Sequence, residues 1–242
     1  MSRRVLITGG ASGIGLASVR RFQEDGCRVA ALDRDEALLA QCGAEDVRVC
    51  DVADEASVTA AVDQAAAALG GLDVVVCGAG IASRGDVVEC SPEEFGRVMS
   101  VNVRGVYLTC RAAVPHLRAA GGGAIVVVAS QLGLVAVPSA VAYCASKGAA
   151  VNLARAMALD HAHEGIRVNA VCPGPTDTPL AGRFFEATED PAATRAAFEA
   201  STATGRLIEP EEIAEAIAFL ASERGGGTVG AALVVDAGYT AR

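Results

Sequence analysis

The 242-residue chain predicts an α/β fold, a doubly wound three-layer αβα sandwich with a seven-stranded parallel sheet at its centre. Three observations carry that expectation. Short apolar runs alternate with longer helical stretches from one end to the other, the rhythm of strand–crossover–strand units that place helices on both faces of a parallel sheet. The runs are near-continuous rather than alternating with polar residues, as strands buried on both faces are. A glycine-rich turn, TGGASGIG at 8–15, follows the first run and opens the first helix.

In order, the strands fall at 5–8, 28–32, 47–49, 74–77, 124–129, 167–172 and 232–235. Helical stretches fill 13–25, 54–69, 91–118, 140–164 and 210–221, with a short one near 35–41. Residues 178–204 break the rhythm. They are too long for an ordinary connection and read as a lid, or else as a helical hairpin on the surface. No linker, repeat or low-complexity segment divides the chain, so 1–242 reads as one domain.

Composition narrows the partners. Net charge is −9 with no basic cluster, which disfavours nucleic acid and anionic membrane. Hydrophobic residues make up 52%, with alanine and valine prominent, suiting close-packed helices and helix faces buried against other copies of the chain. The apolar run in MSRRVLITGG is too short for a signal peptide. The uncharged stretch 119–146 is broken by Gly121, Gly122, Gly123, Ser130, Gln131, Gly133 and Pro138, so it reads as strand, loop and helix start, with no membrane span. Eight cysteines without CxxC or metal spacing are expected reduced and structural, with no metal, in a soluble cytoplasmic protein.

Glycines 9, 13 and 15 allow a tight turn and a close backbone approach. The helix that follows presents free N–H groups and a positive dipole end, a seat for a pyrophosphate. Gly9, Ser12, Gly13, Ile14 and Gly15 are therefore the expected cradle of a dinucleotide, although the GxxxGxG spacing differs from GxGxxG. Asp33, at the end of the second strand, is placed to accept hydrogen bonds from ribose hydroxyls and to repel a 2′-phosphate, favouring NAD over NADP. Asp33 or Asp35 merely capping the next helix is the other reading, and Arg34 is available to a 2′-phosphate.

YCASK, 143–147, contains the only lysine; the other 19 basic residues are arginines. Tyr143 and Lys147, at i and i+4, share one helix face. An ammonium about 5 Å away would stabilise a phenolate by about 3 kcal/mol, on the order of two pKa units, making Tyr143 a proton-exchanging group. Lysine's compact head fits beside a phenol and a ribose where a guanidinium does not.

With these motifs the chain resembles the short-chain dehydrogenase/reductase family, over essentially its whole length. The resemblance rests on TGGASGIG, Asp51-Val52, Asn102 in VNVRG, Ser130 in IVVVAS, YCASK, PGPTDT at 173–178, and the closing GRLIEPEEIAEAIAFLAS and VVDAGYTA. It implies a Rossmann-like fold and four catalytic residues. Ser130 would polarise the substrate oxygen and Tyr143 would be the general acid/base. Lys147 would tune the phenol and bind ribose, and Asn102 would hold a water linking Lys147 to solvent. Asp51 and Val52 would contact adenine, and Thr176 and Thr178 would meet the nicotinamide carboxamide. Where the family carries Asn-Asn-Ala-Gly after the fourth strand, this chain has Cys77-Gly78-Ala79-Gly80; Ala79 still permits close approach to the cofactor.

The reading is an NAD-dependent oxidoreductase acting on a small-molecule secondary alcohol or ketone, with Ser130, Gln131 and Tyr143 contacting substrate. Leu132, Val137, Phe184, Phe185 and Phe198 are expected to line the pocket, and Arg183 and Arg195 are available to a carboxylate or to solvent. The alternatives are an NADPH-dependent 3-oxoacyl-carrier-protein reductase and a non-catalytic nucleotide sensor. Family resemblance and the apolar helices 91–118 and 140–164 imply a homotetramer.

Overall fold

The computed structural model describes residues 2–241. The seven runs are strands: β1 Arg4–Thr8, β2 Arg28–Asp33, β3 Asp46–Val49, β4 Val74–Cys77, β5 Gly123–Val128, β6 Ile166–Pro173 and β7 Ala232–Val235. They form one parallel sheet in the order β3-β2-β1-β4-β5-β6-β7. Valine-rich β4 and β5 sit centrally and are buried on both faces, whereas Val47 and Val49 of edge strand β3 are exposed.

Alternate strand residues feed two cores. Val5, Ile7, Val76 and Val126 pack toward α1 Gly13–Glu24, the short α2 Glu36–Leu39, and a C-terminal helix at Pro210–Ala221. Leu6, Val75, Ile125 and Val127 pack toward α3 Glu55–Leu69 and two later helices. Local chemistry sets the helix ends: Asp35 and Asp54 accept the N–H of Leu38 and Ser57, and Gly70 ends α3 in the left-handed region at φ 79°.

The stretch 91–118 is not one helix. α4 Pro92–Met99 runs into a π turn, Ser100–Arg104, and only then into α5 Gly105–Ala119. The wider turn leaves Asn102 buried, a local insertion of the kind found at functional sites. α6 Val141–His161 follows, its Ala150, Ala154 and Ala158 buried at helical spacing. The stretch 178–204 holds two helices, α7 Pro179–Glu186 and α8 Pro191–Ala200, capped by Thr178 and Asp190 and each opened by proline. The last helix, at Pro210–Ala221, is α9. Among the described residues no helix is long and apolar enough to cross a membrane.

β1 and β4 are neighbours, yet the chain leaves β1 into α1 on one face and runs from β4 toward α5 on the other. This reversal opens a crevice at the carboxyl ends of the strands, where open parallel sheets bind ligands.

Candidate active site

The crevice begins at the glycine turn. Gly9 (φ 69°) and Gly13 (φ 51°) hold left-handed conformations. A Cβ on Gly15 would lie 1.9 Å from the Gly9 carbonyl oxygen, and one on Gly9 would lie 2.7 Å from the Ala79 nitrogen. The turns after β1 and β4 therefore touch backbone to backbone. Ser12 caps α1 with extended backbone but makes no side-chain cap, and the first turn carries no acidic residue. The leading amides around Ile14 are left for an anion.

The other cofactor-facing candidates surround this turn. Asp33 accepts the Ala11 amide at 3.2 Å and the Asp35 amide at 3.2 Å, which aims its carboxylate at the glycine turn. The cap of α2 is Asp35, leaving Asp33 to the crevice. Asp51 accepts the Ala53 amide at 2.9 Å, and Val52 is buried against Gly105. Thr176 donates to the Gly174 carbonyl at 2.9 Å. Thr178 caps α7 and lies across from the glycine turn, where a Cβ on Gly13 would meet its methyl at 3.2 Å. The residues present fit a dinucleotide: free amides at a helix N-terminus, a carboxylate at the end of β2, and glycine backbone at the closest approach.

Cys77-Gly78 replaces amide bracing with direct packing. Gly78 donates its N–H to the Thr8 carbonyl at 3.0 Å, and a Cβ there would come within 2.7 Å of that oxygen. The Cys77 and Cys110 sulfurs meet at 3.7 Å in the core, each enclosed.

The second centre lies at the ends of β5 and β6. Ser130 follows β5 in extended backbone, its Oγ accepting the Leu132 amide at 3.1 Å. Tyr143 is half-buried, and its enclosure raises the phenol above the usual range, opposed by a hydrogen bond with Ser130 that favours the phenolate. Lys147 is buried; its Nζ donates to the Val128 carbonyl at 2.9 Å and lies 5.7 Å from the Tyr143 ring centroid. Burial lowers its pKa to about 8. The expected acidification of Tyr143 by Lys147 is thus overturned in this geometry. Desolvation acts on both groups, lifting the phenol and weakening the ammonium.

Asn102 supports this centre from behind. Its Oδ1 accepts the Ile81 amide at 2.9 Å, and its Nδ2 donates to the Ile81 carbonyl at 2.9 Å and to Ser146 Oγ at 3.0 Å. A Cβ on Gly80 would meet Asn102 Oδ1 at 3.4 Å and Lys147 Nζ at 3.5 Å.

Residues 9–240 match the family model described as enoyl-(acyl carrier protein) reductase. A cis-4-hydroxycyclohexanecarboxylate dehydrogenase of Sinomonas cyclohexanicum is 44% identical, covering 99% of this chain and 97% of that protein. The chain belongs to the short-chain dehydrogenase/reductase family. A 2-(R)-hydroxypropyl-CoM dehydrogenase of Xanthobacter autotrophicus is 42% identical, with complete coverage of both. The crystal structure of a 3-ketoacyl-(acyl-carrier-protein) reductase from Brucella melitensis complexed with NADH superposes with a TM-score of 0.89 at 35% identity, covering 98% of each chain. Membership carries the activity class, a nicotinamide-dependent oxidoreductase of the alcohol dehydrogenase/ketoreductase kind.

In this short-chain dehydrogenase/reductase one cleft of about 620 Å³ joins the two centres. It is lined by every catalytic and cofactor-facing candidate except Asn102, which lies behind the wall. Gln131 is buried, with its Oε1 lacking a hydrogen-bond partner among the described residues. Leu132, Val137, Phe184 and Phe198 line the cleft. Phe185 does not. It is buried edge-on against Phe198, since consecutive helical residues face different ways. Arg195 is likewise turned away, paired with Asp177 and Glu199. Among the lining residues that sequence reading did not single out are Arg84 on the loop after β4 and Tyr239 on the C-terminal turn. Both are brought in only by tertiary folding.

Proposed function

We propose that this enzyme is an NAD-dependent dehydrogenase of secondary alcohols, and reductase of the matching ketones. The observation that carries the reading is the single cleft joining Asp33 to Ser130, Tyr143 and Lys147. When bound, the nicotinamide supplies the hydride acceptor or donor. Ser130 holds the substrate oxygen, its hydroxyl facing the same cleft as the Tyr143 phenol. Tyr143, whose proton is retained by burial, donates it to the nascent alkoxide in ketone reduction. Lys147, neutral above about pH 8, is the neighbouring group able to take up a proton in alcohol oxidation and to meet ribose hydroxyls. Asn102 positions Ile81 on the loop after β4 and Ser146 on α6, which fixes Tyr143 and Lys147 relative to the wall. Gln131 adds a polar contact for substrate, and α7–α8 form the lid over the Tyr143 end.

The relatives acting on hydroxycyclohexanecarboxylate and 2-hydroxypropyl-CoM support a secondary alcohol over an acyl-carrier substrate. The Asp33 carboxylate beside the glycine turn supports NAD, because a 2′-phosphate there would face an anion. The eight thiols are free, which fits a reducing cytoplasm. The chain acts as one domain, and exposed Tyr107 on α5 and Leu159 on α6 suit burial in a homotetramer. A panel of secondary alcohols with NAD and with NADP tests the function. Reduction of NAD by some members, faster than that of NADP, is expected; preference for NADP, or no reduction by any alcohol, would contradict it.

A further inference from the structure

Ten arginines of this acidic chain are paired with a carboxylate. Three lining the cleft are not: Arg34, beside Asp33 at the end of β2, and two toward the lid. Arg84 and Arg183 both line it, and neither has a hydrogen-bonding or ion-pair partner among the described residues. Arg84 sits with its guanidinium carbon 5.1 Å from the Phe184 ring centroid, and Arg183 is the residue before Phe184 on α7. The contrast within α7–α8 is direct, because Arg195 is spent on Asp177 and Glu199 whereas Arg183 stays free of any acid.

The carboxylates of the cleft are confined to one end, where Arg34 also lies. Its only lining carboxylates, Asp33 and Asp51, lie beyond β2 and β3, at the end far from Tyr143 in the sheet order. Around Tyr143 and the lid the lining is apolar or neutral, apart from these two guanidiniums and Lys147. Arg84 is also held in register with the reacting end. The next residue, Gly85, donates its N–H to the Ser139 carbonyl at 3.0 Å and accepts the Val141 amide at 3.4 Å, tying the Arg84 loop to the start of the helix that carries Tyr143. An anion seated on Arg84 is thereby kept at a fixed offset from the phenol. Phe184 and Phe198, in ring contact, add apolar surface to the cleft lining.

We propose that Arg84 and Arg183 form an anion subsite. The substrate is then a secondary alcohol or ketone whose apolar body carries a carboxylate or a similarly oxidised acid group at the end away from the reacting carbon. This rests on the dehydrogenase reading and specifies its substrate class. Both guanidiniums are exposed at the cleft, and bidentate bonding of a carboxylate by the two together is worth about ten-fold in affinity over a neutral isostere.

The test uses enzyme loaded with NADH and two matched ketones, 4-acetylbenzoate and 4-acetylbenzamide, with binding read by calorimetry. The acid is expected to bind at least about ten-fold more tightly. In the Arg84→Gln/Arg183→Gln pair the acid-to-amide ratio should collapse toward one, and Arg84→Lys/Arg183→Lys should restore part of it. Melting temperatures confirm that each variant is folded. Equal affinities, no binding by either ketone, or an acid preference that survives both glutamines would overturn the subsite. NADH consumption is followed in the same samples: a preserved acid preference without consumption would count against the dehydrogenase reading and leave the subsite standing.

Discussion

Lys147→Met separates what the lysine contributes to catalysis from what it does to stability. The native pKa of Lys147 falls from 10.5 to about 8 because the ammonium is buried. At 1.36 kcal/mol per unit, holding that charge in the folded state costs on the order of 3 kcal/mol near neutrality. Methionine keeps the apolar stem, loses the hydrogen bond to the Val128 carbonyl and removes the charge. The sign follows from proton counting. Below about pH 8 folded and unfolded chains both carry the proton, and the full penalty applies. Between about 8 and 10.5 the native amine is neutral while the unfolded chain still binds a proton, so wild-type stability gains with rising pH. Urea unfolding of wild type and Lys147→Met at about pH 7 and about pH 9.5 isolates this effect, because other titrating groups cancel in the difference. The wild type should gain about 2 kcal/mol on the variant between the two conditions. A difference that does not change with pH, or moves the other way, would refute a desolvated ammonium at this position.

The remaining predictions concern the two ends of the cleft. Gly15→Ala forces a Cβ to within 1.9 Å of the Gly9 carbonyl, so NADH affinity should fall about ten- to hundred-fold, read by fluorescence titration. Asp33→Ser removes the carboxylate beside the glycine turn, and the NADP-to-NAD ratio of kcat/KM should rise at least about ten-fold. Alcohol oxidation should accelerate with pH up to the Lys147 pKa of about 8 and then level off, while ketone reduction should not follow that rise.

What sequence reading could see follows from how each feature is encoded. The strands and the doubly wound order were legible because buried parallel strands need apolar runs and crossover helices need length between them. The glycine turn, Asp33, Ser130, Tyr143 and Lys147 stood at spacings that a single loop or helix already fixes. The π turn around Asn102 was not legible, since one inserted residue leaves the apolar pattern of 91–118 nearly unchanged. The Tyr143–Lys147 electrostatics were misjudged for a different reason. Helical spacing gives the distance between two groups but not their desolvation, and burial outweighs attraction here. Arg84 and Tyr239 join the cleft from segments remote in sequence, and Phe185 turns inward while its neighbour Phe184 faces the cleft. Local pattern does not decide such orientations; packing does.

Tyr143→Phe bears most directly on the account, because it removes one hydroxyl and leaves the ring. With NADH binding shown intact by fluorescence, single-turnover reduction of a ketone substrate should slow by at least about a hundred-fold relative to wild type. A variant that binds NADH normally and still transfers hydride within a few-fold of the wild-type rate would show that the phenol is not the proton donor.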